Sequence, residues 1–133
     1  MATALKLASG RQEPILSYID VVLANLATTV AKSLIEVPAG AVITKGGVTV
    51  TEVFNSTTSD VAEFGDAADP NRYLTTIDLQ SLGVTALVPT GYVYTAPTKI
   101  DVVWTSGGGV PTTGKFRLWI LYYVTGREDF TQG

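Results

Sequence analysis

The chain has 133 residues, nearly half of them hydrophobic and only 16% charged, with a net charge of -3 and a pI near 4.7. That length suits one domain able to bury its own core, and the nine scattered basic residues form no run of the kind that binds nucleic acid or an anionic membrane. Histidine and cysteine are both absent, which removes the commonest general base, the commonest metal ligand, thiolate sites and any disulfide framework.

Met1 to Pro14 has no clear period and reads as an extended N-terminal arm. Its early residues lack the apolar centre of a signal peptide, and no apolar run reaches the roughly 20 residues of a membrane helix. The expectation is a chain that stays in the compartment where it is made. From Ile15 the pattern becomes strand-like: Ile19, Val21 and Leu23 point one way, and Tyr18, Asp20 and Val22 the other. Helix is the rival over Ile15 to Leu34, because Ala, Leu and Lys favour it. The β-branched residues Val21, Val22 and Thr28 to Val30 favour strands instead.

Pro38-Ala39-Gly40 marks a turn, and Gly46-Gly47 predicts a break or a bulge inside a longer strand. Val48 to Phe54 and Asp60 to Phe64 read as strands around a polar turn. Gly65 to Ser81 is the least sheet-like part. Within it, Asp69 to Leu74 predicts a helical turn, with Asp69 as cap and Pro70 at the first position. Val84 to Val88 is a strand, Tyr92 to Tyr94 a short extended piece, and Lys99 to Thr105 a strand with Ile100, Val102 and Trp104 on one face. A Gly-rich hairpin loop, Ser106 to Thr113, leads into the strongest strand, Lys115 to Thr125. About eight short strands with turn signals at 8–12-residue spacing predict an all-β, single-domain β-sandwich or jelly roll over 15–127, followed by a polar tail at 128–133.

The last strand carries a second signal. Phe116, Leu118, Ile120, Tyr122 and Val124 form one face, yet Trp119, Leu121 and Tyr123 crowd the other, which would be polar on a solvated sheet. Either that strand is central and covered on both sides, or its second face meets another subunit. Candidate interface residues are therefore Trp119, Leu121 and Tyr123, together with Leu5 and Leu7 of the arm and Gly108, Val110 and Pro111 of the hairpin loop.

Reactive chemistry has few footholds. Asp60, Glu63, Asp66 and Asp69 cluster as oxygen donors but fit no calcium-loop spacing. Asp20 and Asp101 are carboxylates on strands, where exposed faces carry such residues routinely. Ser106 to Gly109 lacks the lysine and the following helix of a phosphate loop. Tyr18, Tyr73, Tyr92, Tyr94, Trp104, Trp119, Tyr122 and Tyr123 suit a sugar platform, although aromatics at strand spacing more often belong to a core or an interface. No catalytic, cofactor or metal residue is assigned, and the expectation is a protein that is not an enzyme.

Several segments in order carry a resemblance: Val37-Pro38-Ala39-Gly40-Ala41-Val42-Ile43, then Val50 to Ser59, then Phe64-Gly65-Asp66-Ala67-Ala68-Asp69-Pro70-Asn71-Arg72-Tyr73-Leu74, and the Val124-Thr125-Gly126-Arg127 ending. Together they resemble small virion proteins of tailed bacteriophages over roughly Ile35 to Arg127. The resemblance implies a β-sandwich or jelly-roll subunit, with capsid decoration (cement) as its role. Such a subunit sits on the outer capsid surface, often as a homotrimer, and bridges copies of the major capsid protein after synthesis in the host bacterial cytoplasm. A tail, neck or head-fibre component, or a carbohydrate-binding module for host adsorption, are the alternatives. No nucleic-acid, membrane or cofactor partner is implied.

Overall fold

The computed structural model describes residues 4, 5, 7, 10–126, 130 and 131. Ten strands account for nearly all regular structure: β1 Gly10–Arg11, β2 Ile15–Val22, β3 Ala31–Val37, β4 Ala41–Glu52, β5 Ser59–Gly65, β6 Leu74–Asp78, β7 Gly83–Ala86, β8 Thr98–Gly107, β9 Lys115–Val124 and β10 Phe130–Thr131. All pairings are antiparallel, within one sheet of order β2-β9-β4-β7, a second of order β3-β8-β5-β6, and the two-stranded pair β1-β10.

That order has a simple origin. The pairs β1·β10, β2·β9, β3·β8, β4·β7 and β5·β6 are the rungs of one long hairpin whose tip is the β5–β6 connection. Rolling the hairpin brings β4 against β9 and β5 against β8, which closes two four-stranded sheets. The fold is a jelly roll. Residues 15–22 and 31–34 are strand rather than helix; between them lie a 3₁₀ turn at Leu23–Asn25 and an irregular stretch at 26–30, so Thr28 to Val30 form a turn and not the start of a strand. The Leu23–Asn25 turn is the helical one among the described residues. At Asp69–Arg72 the chain makes a single turn closed by the Arg72 N–H donating to the Asp69 carbonyl (3.1 Å), and Leu74 already begins β6. The unforeseen strand β6 (Leu-Thr-Thr-Ile-Asp) contributes Leu74 and Ile77 to the core.

The core lies between the sheets and draws on every second residue of the long strands. On β9 it takes Phe116, Leu118, Ile120, Tyr122 and Val124, and on β8 Ile100, Val102 and Trp104. Aromatic rings stack through its centre: Phe64 meets Phe116 edge-on at 5.6 Å, and Phe54 lies 5.9 Å from Trp104 and 6.3 Å from Phe116. Pro38-Ala39-Gly40 turns as expected, with Gly40 at φ 87°. Gly46-Gly47 does not end a strand. β4 runs through it for 12 residues, with register shifts on either side, at Ile43/Lys45 and Val50/Glu52.

Gly46 is required by a close approach: a Cβ there would collide with the Trp119 carbonyl oxygen of β9 and the Leu87 side chain. Backbone cannot step aside as a flexible side chain does. Gly46→Ala should therefore part β4 from β9 and cost about 1–3 kcal/mol. Urea unfolding should show a lower midpoint with an unchanged slope.

Candidate interaction surface

The two sheets turn different chemistry outwards. Odd residues of β9 face away from the core, and cross-strand register fixes their neighbours. Leu121 sits between Leu16 and Lys45, Trp119 between Tyr18 and Gly47, and Arg117 between Asp20 and Thr49. Val84 and Ala86 of β7 extend the same rows beyond Thr49 and Gly47. β9 is thus central in its sheet, flanked by β2 and β4, yet its outer face is only partly covered among the described residues. Leu16 and Tyr18 are about 60% exposed, Tyr123 is exposed, and Trp119 and Leu121 are half-buried. The strand is interior to its sheet, as the first alternative required, but it is not covered on both sides by the described residues.

Trp119 is the fixed point of this face. A Cβ at Gly47 would meet the Trp119 ring at 2.8–3.3 Å, so the indole lies against the glycine backbone of β4. Among the described residues its N–H has no acceptor. Beside it, the Arg117 guanidinium donates twice to the Asp20 carboxylate (2.7 and 3.1 Å) and stands 4.8 Å over the Tyr18 ring. This hydrogen-bonded pair holds the Asp20 carboxyl below the usual carboxylate range and raises the guanidinium further. The pair is solvent-exposed and orders the surface more than it stabilises the fold.

The outer face of the other sheet differs. Ser33, Glu36, Val61, Glu63, Asp78, Lys99, Asp101, Val103 and Thr105 share it by register, with no aromatic side chain among them. Asp101 is buried on this face, and its Oδ1 has no donor. Asp20 and Asp101 therefore lie on opposite faces of the sandwich and cannot act as a pair.

The remaining acidic candidates divide between two buried networks at opposite ends of β5. Asp60 has no solvent exposure. It accepts from the Ser56 N–H (2.8 Å), the Ser56 hydroxyl (2.7 Å), Gln80 Nε2 (2.8 Å) and Trp104 Nε1 (3.0 Å). Asp66 accepts from the Ala68 and Asp69 N–H groups (3.1 and 2.9 Å), twice from Arg72 (2.6 and 3.3 Å) and from the Tyr94 hydroxyl (2.8 Å). Asp66, rather than Asp69, is the residue that caps this turn. Glu63 and Asp69 are only half-buried, and the described residues hold no group of three or more potential metal ligands. Arg72 also stacks on the Tyr92 ring at 3.6 Å, and Tyr94 meets Tyr92 edge-on and shares a 2.6 Å bond with the Tyr73 hydroxyl. The Gly-Asp-Ala-Ala-Asp-Pro-Asn-Arg-Tyr-Leu segment that carries the resemblance is thus a buried polar clasp. Tyr73, Tyr94, Trp104 and Tyr122 belong to the interior. Of the eight aromatics named from the sequence, Tyr18, Tyr92, Trp119 and Tyr123 reach the surface.

The other interface candidates scatter. Leu5 and Leu7 are exposed ahead of β1, while residues 1–3, 6, 8 and 9 of the arm, and residues 127–129, 132 and 133 at the other end, lie outside the described set. Gln12 ties the segment before β2 to the end of β9: its Nε2 donates to the Val124 carbonyl (2.8 Å) and its Oε1 accepts from the Val124 N–H (2.6 Å). Gly108 and Val110 are exposed at the opposite end of β9. Pro111 is buried beneath that loop, which removes it from any contact surface. Sequence reasoning missed Leu16, and named Tyr18 only among the sugar-platform aromatics and not among the interface residues. Their even spacing with Asp20 on β2 was legible, but only the β2–β9 register puts them beside Trp119.

No protein-family model and no curated protein matches the chain. Among solved structures, it is similar to a chain of the cyanophage Pam1 capsid asymmetric unit, with 19% identity, a TM-score of 0.68 and 93% of each chain covered. A chain in the capsid of Ralstonia phage GP4 is similar at 16% identity and TM-score 0.68, over 95% of this chain and 93% of that one. A third is in the acidic stable capsid structure of the Helicobacter pylori bacteriophage KHP30, at 16% identity and TM-score 0.68, over 86% and 90%. At these identities the likeness is one of fold.

Burial alone would raise the Asp66 carboxyl, but the hydrogen bonds from Arg72, Tyr94 and the Asp69 amide, with the Arg72 charge, outweigh it and hold the group below its ordinary value. Tyr94 is pushed well up by burial and by its bonds to Tyr73 and Asp66, so it stays protonated as the donor. An acid that titrates lower in the folded chain stabilises fully above its unfolded pKa of about 3.9 and loses that contribution as pH falls through the folded value. Asp66→Asn should cost about 3–5 kcal/mol at pH 7, because it strands a largely buried guanidinium. Urea titrations at pH 7 and pH 3 should show a smaller acid-induced loss in the variant than in the wild type.

Proposed function

We propose that the protein is a structural subunit of a phage virion, acting as a capsid decoration protein that binds the outer shell through the outer face of the β2-β9-β4-β7 sheet. The observation that carries this reading is the uncovered apolar face of Leu16, Tyr18, Trp119, Leu121 and Tyr123 on a jelly roll of the kind found in three phage capsid structures. Contiguous exposed apolar surface of this sort marks a site meant to be covered. Aromatic residues held rigidly at its centre are the usual energetic anchors of protein interfaces. In this reading residues 15–127 are the body, and the described strands of the arm and the tail, Gly10–Arg11 and Phe130–Thr131, pair with each other.

The occupant in this reading is the major capsid protein. Leu5 and Leu7 of the arm and the Gly108–Val110 loop make flanking contacts, either to the shell or within a homotrimer. Cement action needs no reactive group. A ligand that binds only the assembled shell stabilises it by mass action, and many copies add their contributions. A chain without histidine or cysteine, whose buried Asp60 and Asp66 carboxylates are committed to internal donors, suits a role outside catalysis.

A second reading has one observation in its favour: the Trp119 ring lies against Gly47 beside exposed Tyr18, with no acceptor for its N–H among the described residues, an arrangement that also suits stacking on a sugar ring.

Trp119→Ala should leave the far-ultraviolet circular dichroism unchanged. It should weaken binding to shells assembled from the accompanying major capsid protein by about 2 kcal/mol or more, roughly 30-fold. Co-sedimentation with those shells measures it. Undiminished binding would reject this face. Loss of binding on a glycan array, with shell binding intact, would favour the sugar reading.

A further inference from the structure

Four strands lie at the edges of the two large sheets: β2, β7, β3 and β6. An edge strand presents unpaired backbone N–H and C=O groups and invites another chain to pair, unless charge, bulge or distortion blunts it. Three of the four are blunted. β2 carries the Asp20 ion pair. β3 carries Lys32 and Glu36 and shifts register between Ser33 and Ile35. β6 shifts register against β5, holds Thr76 at φ 32° and ends in Asp78.

β7 has no charge and no register shift, although it is only four residues long and its first residue, Gly83, stands at φ 136°. Residues 81–88 contain no charged side chain, the register with β4 is unbroken over Gly83–Ala86, and every residue of the strand is exposed. The direction of its backbone can be read from its flanks. The Leu87 N–H donates to the Gly46 carbonyl of β4 (3.0 Å), and the Val88 N–H points away to the Tyr73 carbonyl (2.9 Å). Backbone groups alternate sides along a strand. Gly83 and Thr85 therefore bond β4, and Val84 and Ala86 turn their N–H and C=O groups to the free edge.

We infer that β7 is a two-fold contact with β7 of a second copy of this chain. The strands run antiparallel about an axis at Thr85, with Val84 exchanging hydrogen bonds with Ala86 of the second copy and Ala86 with its Val84. In that register Val84 falls opposite Ala86 and Ala86 opposite Val84, and the pairing ends there, because the outward N–H of Val88 is already bonded to Tyr73. Val84 is about two-thirds exposed in the single chain. Self-pairing of an edge sets like against like, so a charged strand would repel itself and this uncharged one does not. The contact joins two β2-β9-β4-β7 sheets edge to edge with both aromatic faces on the same side, doubling the width of the candidate surface. It holds whether or not that surface binds a shell.

The chain has no cysteine, which allows a direct test. Thr85 and its symmetry mate form a non-hydrogen-bonded pair, whose Cα separation of about 4.5 Å suits a disulfide. Thr85→Cys should give a disulfide-linked dimer as the main product under mild oxidation on non-reducing gels, released by reductant. Ala96→Cys, on an exposed loop residue, reports random collision and should link far less. Adding Val84→Pro, which removes an outward N–H and no bond to β4, should abolish linkage. Val84→Lys should do the same by charge if the proline variant fails to fold. Linkage of Thr85→Cys no greater than that of Ala96→Cys, or linkage that survives Val84→Lys, would overturn the inference.

Discussion

Strand β9 has to satisfy two neighbours and two faces at once, and the rest of the structure follows from how it does so. Its backbone pairs with β2 on one side and β4 on the other, over eight and ten residue pairs. Both partners are remote in sequence, so the long hairpin must close and roll before the strand is satisfied. Its even residues supply the centre of the core. Its odd residues are left outside, and the period of two gives no way to hide them within one chain. A polar outer face would be the ordinary solution. Trp119, Leu121 and Tyr123 depart from it, and the glycine at position 47 makes room for the indole to lie down against β4.

The ends of the sandwich are held differently. Hydrophobic alternation cannot fix loops, which lack a repeating face, and here two buried carboxylates do so. Asp60 gathers Ser56, Gln80 and Trp104 at one end of β5, and Asp66 gathers Arg72, Tyr94 and its own turn at the other. A buried charge is tolerated only where donors surround it, so each network specifies one arrangement of its loops and is intolerant of losing a member. In the segment resembling phage virion proteins, Asp66, Arg72 and Tyr73 serve the clasp.

A two-sheet body whose Asp60 and Asp66 networks are internally bonded, with one aromatic face and one uncharged edge, has its options at its surfaces. The face is fixed by strand register and the edge by sheet order, so both are presented without conformational cost on binding. The fold itself is like that of chains in three phage capsid structures.

The sequence by itself determined the fold class, most strand positions and the two-sidedness of β9, because alternation and turn residues are local signals. It also named Trp119, Leu121 and Tyr123. It did not reveal β6, whose Leu-Thr-Thr-Ile-Asp run is short and polar and becomes a strand by pairing with β5. Nor did it show the polar clasp: Asp69 looked like the cap because capping is read from neighbours, whereas Asp66 takes the role with Tyr94, 28 residues away. Only the tertiary structure decided that Leu16 and Tyr18 join the aromatic face, that Pro111 is buried, and that β7 is the unprotected edge. Each of those facts depends on which strands lie side by side, and strand order is set by long-range pairing that no local pattern encodes.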